Sequence, residues 1–208
     1  MELPDTMTTA IVTLYVDYRS PYSYLAKDDA YRLEDDFRVV VDWLPYRIDI
    51  ESAYGAVDQR TEREWRKVRY LYMDVRRLAS KRGLTVRGTR KIYDPTLAFL
   101  GMLYAKRLGV LRQYQDVLLS KFWTHEAEID CAEDVESALI AVGATAEGFR
   151  AYATGDDAGE LYRIYQEADA QGVFGVPTFV FRGELFWGED RIGLLRERLA
   201  AAALGRTL

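Results

Sequence analysis

Two serines three residues apart stand in the run Asp17-Tyr18-Arg19-Ser20-Pro21-Tyr22-Ser23-Tyr24-Leu25-Ala26. Serine followed by proline opens helices, because Ser caps the free N–H groups and Pro fits the first helical position. The helix dipole adds positive potential there, worth about 0.3–1 kcal/mol to an anion. A hydroxyl at such a point can hydrogen-bond a thiolate or another anion. Two later runs carry further candidates. Gly172-Val173-Phe174-Gly175-Val176-Pro177-Thr178-Phe179 places a proline at the start of a strand. Trp187-Gly188-Glu189-Asp190-Arg191 stands where a last helix should begin, so Asp190 either caps it or meets a ligand there.

Other chemistries lack their residues. The 208 residues include one cysteine, Cys131, and one histidine, His125. One cysteine excludes an internal disulfide and a dithiol redox pair. One histidine excludes a His-rich metal site, and no metal is expected. His125 follows Phe122-Trp123-Thr124 near a helix end and reads as a surface or capping residue. Cys131 has no basic neighbour in sequence and reads as a bystander thiol. Fifteen tyrosines suit half-buried packing with wet hydroxyls.

The net charge is −5, which argues against a dedicated nucleic-acid binder. Yet residues 60–91 hold 12 Lys/Arg and only three acids. That segment is either a solvated helix face or a field that attracts small anions. Arg47, Arg60 and Arg63 are candidates to take a carboxylate. The acidic N-terminus does not read as a secretory signal, and no run of about 18 apolar residues suggests a membrane span. A cytoplasmic protein without membrane or nucleic-acid partners, acting on a small molecule, is the expectation.

The elements that must position these residues are legible. Ile11 to Asp17 is a β-branched, apolar strand. The helix opened by Ser20 runs to about Glu34, and Val39 to Leu44 is a second strand ended by Pro45. This is a parallel βαβ unit. Trp65, Val68, Tyr72, Val75 and Ala79 mark one face of a helix, and Gly83 a stop. Helices follow over 95–108, 111–124, about 132–142, 146–154 and 158–171. Thr178–Phe181 and Glu184–Trp187 flank Arg182-Gly183, a tight hairpin signal. Asp190 to about Ala203 reads as one final helix.

In these three runs and their separations the chain resembles the 2-hydroxychromene-2-carboxylate isomerases and kappa-class glutathione transferases. The resemblance implies an α/β thioredoxin-like fold (βαβ…ββα) with a large all-helical insertion: 9–48, the insertion 49–170, then 171–205. It implies that Ser20 is the catalytic serine, standing with Ser23 where disulfide oxidoreductases of this layout keep a cysteine pair. The thiol would then arrive as glutathione or another low-molecular-weight thiol. It further implies a cis Val176–Pro177 bond whose backbone pairs with the tripeptide. Trp187, Glu189 and Asp190 would complete the cofactor site, with Asp190 on the γ-glutamyl ammonium. Tyr22, Ser23 and Tyr24 would flank the substrate, and the protein would be a homodimer.

The activity so implied is isomerisation of a 2-hydroxychromene-2-carboxylate-like aromatic or conjugated acid by reversible thiolate addition. A glutathione or other thiol transferase, and a peptide-binding module without redox chemistry, are the alternatives. One departure stands out. Relatives often carry an Asn-Lys-Pro-Pro-like stretch after the second strand, and this chain has Tyr46-Arg47-Ile48-Asp49-Ile50 there. Either another residue holds the glycyl end, or glutathione is not the ligand.

Overall fold

A computed structural model describes residues 9–155 and 158–206. Strand β1 (Ala10–Val16) leads into helix α1 (Pro21–Asp36) and strand β2 (Val39–Pro45). The strands β1 and β2 are parallel, with Leu14 opposite Trp43. Strands β3 (Thr178–Phe181) and β4 (Glu184–Trp187) add to the other side, giving the order β2-β1-β3-β4. Both new pairings are antiparallel, with Phe179 opposite Leu14 and Phe186. The hairpin bounds are those read from sequence. Arg182 (φ 51°) and Gly183 (φ 81°) both take the left-handed conformation that a two-residue hairpin needs.

Strand β1 is central, and its C-terminal half is covered on both faces. Leu14, Tyr15 and Val16 have essentially no exposed surface, which explains the unbroken apolar run where a half-buried strand would alternate. On α1, Leu25, Ala26, Ala30 and Leu33 face this core. A buried leucine contributes about 2 kcal/mol by leaving water.

Between β2 and β3 lie helices α2 (Ile50–Tyr54), α3 (Glu62–Lys81), α4 (Thr96–Arg107), α5 (Leu111–Trp123), α6 (Ala132–Ala141), α7 (Ala146–Thr154) and α8 (Ala158–Ala170). This is the α/β thioredoxin-type arrangement with helices between its two halves. α4 and α8 pack against β2. α3 starts at a reciprocal cap. Thr61 Oγ1 accepts from the Glu64 N–H, and the Glu64 carboxylate accepts from the Thr61 N–H at 2.7 Å.

Two details differ from expectation. The short helix α2 was not anticipated; Asp49 caps it by accepting from Ser52 N. The last helix is not continuous from Asp190. Glu189–Arg191 form a 3-10 turn, and α9 (Ile192–Ala201) follows. Gly188 enters this turn at φ 110°, and neither segment has a side-chain cap. Asp190 therefore does not cap the helix.

Candidate active site

Ser20 caps α1, and the turn before it is tight, with Ser20 N–H donating to Asp17 C=O at 2.9 Å. Its Oγ accepts from Ser23 N–H at 3.3 Å. That bond uses an Oγ lone pair and leaves the hydroxyl proton to be donated elsewhere. Ser20 is only 5% exposed, and that remnant forms part of a cavity of about 1000 Å³. Ser20, Tyr22, Val176 and Trp187 all line this cavity, so one site gathers residues 167 positions apart in sequence.

The cavity wall is built from several segments. α3 supplies Trp65, Val68 and Tyr72, the face read from its periodicity. The loop after α3 supplies Gly88 and Thr89. Tyr72 holds this loop: its hydroxyl accepts from Thr89 N–H at 3.3 Å and bonds Thr89 Oγ1 at 3.0 Å. His125 holds it from behind, with Nε2 at 2.5 Å from Gly88 C=O. A carbonyl only accepts, so Nε2 carries the proton. The lone histidine is thus a strut of the cavity wall.

Val176–Pro177 is a cis bond, as the resemblance implies. Neither the N–H nor the C=O of Val176 meets a protein partner among the described residues, whereas its neighbours are engaged. Pro177 C=O accepts from Gly188 N–H at 2.9 Å, and Thr178 Oγ1 donates to Gly175 C=O at 2.7 Å. An extended ligand can add to the free Val176 groups as a strand. Trp187 is 53% exposed and meets Phe174 edge-on at 4.8 Å. Both rings line the cavity.

Ser23, Tyr24, Glu189 and Asp190 lie apart from the lining. Ser23 is buried, and its Oγ accepts from Asp17 N–H at 3.4 Å. Tyr24 is buried and stacks on Trp123 at 6.2 Å, so it belongs to the core. Glu189 pairs with Arg82 at 2.6 Å, tying the 3-10 turn to the end of α3. Asp190 is exposed and pairs with Arg191 at 2.6 Å. Tyr22 donates to Asp74 at 3.1 Å; burial first, then this bond, raises its pKa, so the phenol stays neutral.

Charge is the cavity's other feature. Seven lining residues are Lys or Arg, against the single carboxylate of Asp49. Arg19 pairs with Asp17, Arg47 with Asp94 and Lys91 with Glu128 and Asp130. The other four, Arg60, Arg76, Arg87 and Arg90, have no carboxylate partner among the described residues. Arg60 donates to Tyr54 and Gly55 C=O and lies over Trp65 at 4.9 Å. Arg76 donates to Val86 and Arg87 C=O at 3.3 Å. Guanidinium groups held by carbonyls and rings keep their charge available for an anion. Of the arginines read from sequence, Arg47 and Arg60 line the cavity and Arg63 does not. Among the described residues no group of three or more His, Cys, Asp or Glu is placed to hold a metal.

Sequence reading missed Asp17 and Arg19 as site residues. Asp17 is fully buried and Arg19 is 7% exposed. Arg19 Nε and Nη2 grip the Asp17 carboxylate at 3.0 and 2.6 Å. The same carboxylate accepts from the N–H groups of Arg19 and Ile48. The only signal was an acid and a base two apart at the end of an apolar strand.

Comparison with known proteins agrees with this layout. Residues 11–200 match the model of the DSBA-like thioredoxin domain. The chain is 28% identical over 210 residues to a 2-hydroxychromene-2-carboxylate isomerase of Pseudomonas sp. (strain C18), covering 92% of this chain and 91% of that one. It is 27% identical over 202 residues to the enzyme of that name from Pseudomonas putida, covering 94% and 95%. A solved 2-hydroxychromene-2-carboxylate isomerase superposes with a TM-score of 0.77 at 24% identity, covering 93% of this chain and 96% of that one. Helix positions, sheet order, the cis proline and this match over nearly the whole length lead to one conclusion: the chain belongs to the DSBA-like thioredoxin family.

Proposed function

We propose that this chain is a glutathione-dependent isomerase of an aromatic or conjugated 2-oxo or 2-hydroxy acid resembling 2-hydroxychromene-2-carboxylate. The observation that carries the reading is Ser20. A hydroxyl stands at a helix N-terminus on the wall of a large cavity, its own oxygen already accepting from Ser23 N–H. A free thiol has a pKa of about 8.5. A donated hydrogen bond and the helix end both favour its thiolate. With no cysteine lining the cavity, the sulfur comes from a cosubstrate.

In this mechanism the thiolate adds to the substrate's activated double bond. The former double bond becomes single and rotates, and expulsion of the thiolate restores it. The nucleophile is borrowed and returned. Val176 supports the reading with free backbone groups for the tripeptide. Arg60 and Arg76 support it with charges for carboxylates, standing in for the missing Asn-Lys-Pro-Pro-like stretch.

The free Val176 edge also favours a second reading, an extended-peptide module without catalysis. Calorimetry with glutathione separates the two. Binding in the micromolar to millimolar range supports the enzyme. No binding at millimolar glutathione, with capture of an extended peptide, supports the module. Counting free thiol during turnover separates isomerase from transferase, because a transferase consumes its thiol.

A further inference from the structure

We infer that Arg19 is a catalytic residue of this site, donating a hydrogen bond to the enolate oxygen that forms when the thiolate adds. The inference rests on the proposed isomerase reading and names the group that stabilises its intermediate.

The donor count leads to it. A guanidinium has five N–H groups. Arg19 Nε and one Nη2 hydrogen go to Asp17, and the second Nη2 hydrogen to Ile48 C=O at 2.9 Å. One Nη1 hydrogen goes to Tyr93 C=O at 3.4 Å. The fifth, on Nη1, has no partner among the described residues, and Arg19 forms part of the cavity wall beside Ser20. The spare donor thus belongs to a side chain held almost entirely by the protein, 7% exposed and bordering the cavity.

The surroundings fit a developing charge better than a standing one. Asp17 cancels the net charge of Arg19, so a substrate carboxylate gains little from it. Arg60 and Arg76, without carboxylates of their own, suit that group. A rigid N–H dipole, clamped by four bonds in a buried side chain, is worth most to charge that appears during reaction. The clamp ties the turn after β1 to the segments at Ile48 and Tyr93, so the donor needs no rearrangement.

The step balances. The hemiketal ring opens first: the ring C–O bond breaks, the 2-hydroxyl becomes the C=O and its proton passes to the phenol oxygen. The thiolate lone pair then forms a C–S bond at the carbon β to that carbonyl. The π pair moves onto the carbonyl oxygen, which becomes an enolate and accepts the Arg19 N–H. Rotation follows about the new single bond. The enolate then reforms C=O, the C=C returns and the C–S pair leaves with sulfur. No electrons or protons are gained or lost.

The test compares wild type with Arg19→Lys, using 2-hydroxychromene-2-carboxylate and glutathione. Lysine keeps a charge beside Asp17 but not the fixed fork. The expectation is a kcat lower by about 10²-fold, as for loss of one oxyanion donor, with the glutathione Kd by calorimetry unchanged. A merely structural role would instead displace Ser20 and weaken glutathione. Should Arg19→Lys fail to fold, Asp17→Asn with Arg19→Gln, which leaves no unpaired charge, is read the same way. A kcat within about threefold of wild type, or a loss confined to glutathione affinity, overturns the role of Arg19 and leaves the isomerase reading intact. No turnover by wild type overturns both.

Discussion

Gly175 and Trp187 touch so closely that a Cβ at residue 175 would stand 2.7 Å from the indole Nε1. The Gly-Val-Pro run therefore does more than lead into the cis proline. Its glycine lets Trp187 fold over the loop whose next residue, Val176, offers free backbone groups.

Gly175→Ala should push the Trp187 ring outward and disturb the Val176 edge. Glutathione affinity should fall about tenfold, equivalent to about 1.4 kcal/mol. Isothermal calorimetry measures it, and an unchanged Kd would show that the ring does not shape the thiol site.

His125 sits at φ 63°, a strained conformation for any residue with a Cβ, and bonds Gly88 C=O. Replacement by glycine removes the strain, about 1 kcal/mol, but also the strut. Stability should change little while the 86–89 loop loosens. Hydrogen exchange at the Thr89 amide, which donates to Tyr72, should quicken. Unchanged exchange would mean that Tyr72 alone holds the loop.

Cys131 should be irrelevant to turnover. Asp134 N–H favours its thiolate, but the Glu133 carboxylate at 3.1 Å and partial desolvation outweigh this and raise its pKa. Cys131→Ser should keep kcat and KM within about twofold. A larger loss would give the protein a thiol of its own and undercut the borrowed one.

Burial raises the pKa of ten of the fifteen tyrosines, among them Tyr15, Tyr18, Tyr31 and Tyr114. For each, the folded pKa lies above the unfolded value of about 10. Their contribution is therefore whole below that pH and is lost as pH rises through the folded values, because the unfolded chain releases protons first. Urea unfolding midpoints should fall steeply above pH ~10. Phenolate absorbance appearing at that pH without loss of stability would contradict the burial of these rings.

The sequence showed the sheet and helices well because their signals are local. Tyr24 shows where it stopped: the same spacing that put Tyr22 on the cavity put Tyr24 against Trp123, and only packing decides which aromatic faces the solvent. Ser20 and Val176 were legible because a cap and a proline announce themselves. Arg19, Gly88 and His125 were not, because the contacts that fix them on the cavity wall reach 29 to 74 positions away in sequence. Glu189 and Asp190 were placed by resemblance, and their ion pairs with Arg82 and Arg191 are the structure's own finding.

The borrowed thiol is the central claim, and isomerisation of 2-hydroxychromene-2-carboxylate with and without glutathione tests it most directly. Wild type should turn over only with glutathione and return it unconsumed, and Ser20→Ala should lose about 10²-fold in kcat. Equal rates without any thiol, or Ser20→Ala retaining kcat within about twofold, would contradict the account.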